Sequence, residues 1–103
     1  MTPDAVATIV ATVLRADSAT AYAPSDPHYG IVVIPDELWL NSETLVKYVR
    51  IDGIGTRGYV TDVEIHTCGA GIITAPDADE KHGRNHVCAR IRDAINAVIL
   101  ATD

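Results

Sequence analysis

Two short His-x-Cys pairs, His66-Thr67-Cys68 and His86-Val87-Cys88, hold the residues of this 103-residue chain best suited to chemistry. Two imidazoles and two thiolates suffice as a ligand set for tetrahedral zinc. Residues two apart on a strand point the same way, so His66 and Cys68 can chelate together. Residues two apart on a helix diverge by about 200°, so His86 and Cys88 would need a non-helical lead-in. The Cys-x-x-Cys spacing of most zinc frameworks is missing. The plainer reading is preferred: His66 on a wet sheet face, Cys88 packed as a small, partly buried residue, and His82 and His86 in a loop. On that reading the chain binds no metal and needs no other cofactor.

A cysteine nucleophile is the second chemistry to weigh. It requires a lowered thiol pKa and a nearby base. Cys68 precedes Gly69-Ala70-Gly71, whose amides can act as donors, and Asp62, Glu64 and His66 share its strand face as groups able to move protons. Their spacing fixes no geometry, and a solvated strand face accounts for all of them. Asp36, Glu37 and Lys47 are the residue types of a metal-dependent nuclease without the close spacing on one strand. Gly53-Ile54-Gly55 and Gly69-Ala70-Gly71 lack the strand, turn and helix order of a phosphate loop and the Lys-Ser or Lys-Thr that follows it. Hairpin turns explain them better. No enzymatic activity is expected, and no catalytic residue is assigned.

Bulk properties narrow the remaining classes. The length is that of one domain, residues 1–103, with a single core and little margin, so assembly with copies of itself or with a partner is expected. Hydrophobic residues make up 48% and charged residues 21%, a globular mixture rather than a disordered one. Phe is absent, so the core must be aliphatic, with Trp39 and four tyrosines as the only large rings. The formal charge of −6 and eight scattered basic residues argue against a general nucleic-acid binder. A negative surface repels DNA rather than holding it. The start of the chain lacks the basic and apolar run of a signal peptide, and no stretch approaches the roughly 20 apolar residues that span a bilayer. Two cysteines make no disulfide framework, so a reducing cytoplasm is the expected compartment.

The elements that must position these residues are legible in outline. Thr2-Pro3-Asp4 opens a helix to Arg15, with Val6, Ile9, Val10, Val13 and Leu14 on one stripe and Thr8, Thr12 and Arg15 opposite. The residues from Asp17 to His28 read as loop. Tyr29 to Ile34 reads as a buried strand that Pro35 ends or places beside an edge. Glu37 to Asn41 reads as a short strand with Leu38 and Leu40 on one face and Trp39 on the other. Leu45 to Asp52 alternates, with Val49 and Ile51 on one side and Val46, Tyr48 and Arg50 on the other. Gly58 to Thr67 alternates again, with Val63, Ile65 and Thr67 opposite Asp62, Glu64, His66 and Cys68. The Ile51 to Arg57 segment reads as the hairpin turn between these two antiparallel strands. A loop from Cys68 to Gly83 leads into a second helix, which starts at Ala78 if Asp77 and Glu80 form a capping box, or near Asn85. Its stripe is Val87, Ile91, Ala94, Ile95, Val98 and Ile99. The predicted architecture is α+β: a mainly antiparallel sheet of three or four strands with an N-terminal and a C-terminal helix packed on one face. The polar strand face leaves one side of the sheet wet or pressed against another subunit.

From Val60 onward the chain resembles the tail-completion or tail-terminator proteins of long-tailed bacterial viruses. Those often close with a strand of the form Asp-x-x-Ile-His-x-Trp-Ser, a Gly-rich turn, and a helix of the form Ile-x-x-Ala-Ile-x-x-x-Leu. Asp62, Ile65 and His66 match the strand; Ile91, Ala94, Ile95 and Ile99 match the helix. Thr67-Cys68-Gly69 stand where an aromatic residue and a serine are expected, and the loop is longer than usual. The resemblance implies a structural virion protein at the head–tail junction, made in the host cytoplasm. It would cap the tail tube as a homo-oligomeric, hexameric ring around the DNA channel. Its partners would be the tail tube protein and the head connector or stopper proteins, with no membrane. An adaptor or stopper at the connector is the alternative within this class; a small cytoplasmic zinc-binding or regulatory domain is the alternative outside it. A ring needs a heterologous interface, sought where a sheet edge meets the loop or helix of the next subunit. Tyr29, Trp39 and Tyr48 are candidate anchors there, against ordinary core packing, and Asp62 and Glu64 are candidate contacts on the wet face. Asp77, Asp79 and Glu80 are candidates for the lumen, against plain solvated loop charges.

Overall fold

The structure is a computed structural model that describes residues 2–23, 30–53, 60, 62–74 and 83–102, with backbone alone for residues 83–86 and 102. Helix α1 (Pro3–Leu14) starts as its sequence dictates: the Thr2 hydroxyl accepts the Ala5 N–H at 3.2 Å, and Pro3 occupies a position where no N–H is needed. Six strands follow, β1 (Ala19–Tyr22), β2 (Ile31–Pro35), β3 (Trp39–Asn41), β4 (Thr44–Asp52), β5 (Asp62–Cys68) and β6 (Ile72–Thr74), and helix α2 (Gly83–Thr102) closes the order. The sheet is antiparallel throughout, in the order β1-β2-β4-β5-β6, with β3 paired to one end of β4.

The α+β class is as expected, and the sheet is larger than the three or four strands anticipated. The additional strands are β1, inside the segment read as a loop, and β6, just after Gly71. Each is too short to show a period of two, and each is held by its pairing with a neighbouring strand rather than by a pattern of its own.

Both helices pack on one face of the sheet. Val6 and Val10 of α1, and Cys88, Ile91, Ile95 and Ile99 of α2, join Ile31, Val33, Val49, Ile51, Val63, Ile65 and Ile73 in one aliphatic core. Two details of the expected pattern are corrected. Val46 lies on the core face together with Val49, because the β4–β5 register slips between Val46 and Tyr48. The extra residue of that bulge lets two residues of odd spacing share one face. Val98 is exposed rather than part of the α2 stripe, and fully buried Cys88 takes the first place on that stripe. The proposed capping box at Asp77 and Glu80, and the turn residues from Ile54 to Arg57, lie outside the described residues. Among the described residues, no helix is long and apolar enough to cross a membrane.

Candidate functional site

The side of the sheet away from the helices is uncovered among the described residues, and it gathers most of the residues singled out from the sequence. The β4–β5 register places Tyr48 opposite His66, Arg50 opposite Glu64 and Asp52 opposite Asp62. Tyr48 and His66 stack, with ring centroids 4.2 Å apart and planes 16° from parallel. His66 Nε2 lies 3.0 Å from Glu64 Oε1, two residues along the same strand face. The Arg50 Nε–H donates to Asp52 Oδ1 at 3.2 Å. Strand pairing therefore builds a half-buried ladder of rings and alternating charges across the centre of the sheet.

Apolar groups flank this ladder. Thr20 and Tyr22 on β1 sit opposite Ile34 and Val32, and on the far side Ile72 sits opposite His66. Tyr22, Ile34 and Ile72 are each about half exposed, as is Trp39, which pairs with Leu45 at the end of β4. Trp39 and Tyr48 thus lie outside the core, and Asp62 is exposed on the same face as Glu64. Tyr29, Asp77, Asp79 and Glu80 lie outside the described residues.

Sequence reading missed Tyr22, Ile34 and Ile72 as members of this face. The signal was present at Ile31-Val32-Val33-Ile34: an all-apolar strand reads as buried on both sides, whereas the structure buries only Ile31 and Val33 fully. An apolar strand side left open marks a surface suited to a partner.

The candidate chemistry is dispersed by the same sheet. His66 and Cys68 face away from the helices, while Cys88 is in the core on the opposite side. A zinc ion held by the first two cannot reach the third, and the side chain of His86 lies outside the described residues. Among those residues no group of three or more His, Cys, Asp or Glu side chains converges. His66, the base nearest Cys68 along its strand, spends its Nε2 on Glu64 and its ring face on Tyr48.

The two thiols differ sharply. Burial pushes the Cys88 thiol up to about 11, and its Sγ–H donates to the Ile73 carbonyl at 3.4 Å. At pH 8 that leaves about one part in a thousand as thiolate, behind a packed core. Exposed Cys68 will therefore react with a thiol reagent in the native protein, and Cys88 will react only on unfolding. Counting modified thiols by mass before and after denaturant checks this. Native labelling of Cys88 at the rate of Cys68 would contradict the packing described.

The turn after β5 is held by Thr67, whose hydroxyl donates to the Gly71 carbonyl at 2.6 Å and accepts the Ala70 N–H at 3.2 Å. Gly69-Ala70-Gly71 is thus the hairpin turn into β6, with the Ala70 amide already engaged and no phosphate loop. The described side chains on this face form an open ladder of rings, charges and apolar groups. In comparisons with known proteins, the chain matches no family model, no curated protein and no solved structure.

Proposed function

We propose that this chain is a structural virion protein of the head–tail junction, a tail terminator that caps the tail tube as an oligomeric ring around the DNA channel. The observation that carries the reading is the closing strand, Gly-rich turn and helix, with Asp62, Ile65 and His66 on the strand and Ile91, Ala94, Ile95 and Ile99 on the helix. An acidic domain with one sheet face uncovered supports it, because a ring subunit must present a contact surface and its lumen must not hold DNA. In this reading Tyr48, Trp39, Ile34 and Ile72 supply the apolar part of the contact, and Glu64 and Asp62 supply its polar rim. A neighbour's helix or loop is the complementary surface. An adaptor or stopper ring at the connector would use the same face.

Native mass spectrometry with and without a chelator tests the proposal. The expected species is a metal-free ring, a hexamer if the resemblance holds in full. Glu64→Lys will prevent ring formation while the subunit stays folded, since it reverses a charge on the polar rim of the proposed contact face. A monomer that carries one zinc and unfolds on chelation would sink the proposal and favour the metal-binding alternative.

A further inference from the structure

We infer that two copies of this chain pair edge to edge through β1, antiparallel across a two-fold axis at Thr20, to form one continuous sheet. The inference does not rest on the ring reading, whose proposed contact residues lie on the sheet face.

The backbone of β1 supplies the first argument. The Asp36 N–H donates to the Ser18 carbonyl at 2.8 Å, so Ser18 and Asp36 form a hydrogen-bonded pair. Such pairs alternate along an antiparallel ladder. The register therefore makes Thr20–Ile34 and Tyr22–Val32 hydrogen-bonded pairs and Ala19–Pro35 and Ala21–Val33 the open ones. Ala19 and Ala21 consequently turn their N–H and C=O groups away from β2. Among the described residues no strand lies beyond β1.

Edges of this kind are commonly blunted by lysine, proline or a bulge, which block pairing with another chain. Ala19-Thr20-Ala21-Tyr22 has none of these: it carries no charge in a chain of net −6, and its register with β2 is unbroken.

The choice of occupant follows from the symmetry of the strand. With the axis at Thr20, Ala19 of each copy meets Ala21 of the other, so all the outward backbone groups of both are satisfied. Thr20 meets Thr20 in the open position, where side chains come closest, and Thr–Thr is a favourable cross-strand pair. Ser18 meets Tyr22. On the helix side, a groove of about 310 Å³ runs between α1 and the start of β1, lined in part by Thr8, Ala11, Thr12 and Ala16. Short side chains leave room for the methyl groups of a second Ala19 and Ala21. Among the described residues Asp17 is the only charged one of that lining, so the groove suits a neutral strand, and β1 is one.

Sedimentation of the wild-type chain over a dilution series, with amide hydrogen exchange read residue by residue, tests the pairing. The expected result is a dimer in which the Ala19 and Ala21 amides are protected and become fast-exchanging on dilution, while Thr20 and Tyr22 stay protected throughout. Ala21→Pro removes an N–H that no described residue of the same chain accepts, at an edge where proline is tolerated, and should convert the dimer to a folded monomer. The exchange pattern of the wild type decides the matter even if that variant fails to fold. A chain that stays monomeric at every concentration, or a dimer whose Ala19 and Ala21 amides exchange freely, overturns the pairing. A hexamer in which those amides exchange freely overturns it and leaves the ring reading standing. A β1-paired dimer that never forms a ring does the reverse.

Discussion

Gly30→Ala will destabilise the protein by about 3–4 kcal/mol, the sum of a left-handed backbone penalty and a steric conflict with buried main chain. Gly30 has φ +63°, and a Cβ built there falls on the Ile51 carbonyl oxygen, with Asp52 Oδ1 also in close contact at 2.9 Å. The Asp52 carboxylate can swing away. Ile51 cannot, because it is fully buried and held in register between Ile31 of β2 and Val63 of β5. The variant must therefore lift the start of β2 off β4, in the middle of the sheet. For a domain of this size the loss corresponds to a fall in melting temperature of roughly 15–25 °C. Gly71→Ala is the control. Gly71 has a similar φ of +70° and open space around its missing Cβ, so only the backbone penalty of about 1 kcal/mol applies. Equal losses at the two positions, measured by thermal melts, would show that the contact with Ile51 carries no weight.

These two glycines show where sequence reading reaches its limit. Gly30 was read inside a strand and Gly71 in a loop, and neither assignment reveals what separates them: a carbonyl that reaches Gly30 from a strand about twenty residues later. The same division runs through the fold. Helix α1, the stripe of Ile91, Ile95 and Ile99, and the β4–β5 hairpin were legible because each repeats a period over enough residues to be seen. Val46 was misplaced because a bulge resets the alternation without leaving a mark on residue types. Of the contact face, the polar half on Asp62, Glu64 and His66 was legible from alternation alone. Its apolar half was not: Tyr22 sits on a strand of four residues, and Ile34 follows three apolar residues that conceal which side is open. Cys88 was read as partly buried beside a loop, and its position in the core follows from α2 beginning at Gly83.

Asn96→Ala will cost about 2–3 kcal/mol, although Asn96 looks like one more polar residue on the solvated side of a helix. Its side chain reaches across to the chain just ahead of β5, where Oδ1 accepts the Val60 N–H at 2.7 Å and Nδ2 donates to the Val60 carbonyl at 3.2 Å. Val60 is buried and belongs to the core, so both of its backbone groups need partners. The amide supplies a donor and an acceptor from one group, as a neighbouring strand would. Alanine leaves both backbone groups unpaired. Aspartate keeps the acceptor but sets its second oxygen against the Val60 carbonyl, so Asn96→Asp should be no better than alanine at neutral pH. Chemical denaturation will show a lowered midpoint with an unchanged slope, because the loss is of native interactions and not of buried area. Amide exchange at Val60 gives the residue-level readout: protection there must fall by more than at Glu64 and His66, which keep their own partners on β4. Uniform loss across all three would mean that Asn96 acts only through global stability, and that the docking of α2 onto the start of β5 depends on the apolar stripe alone.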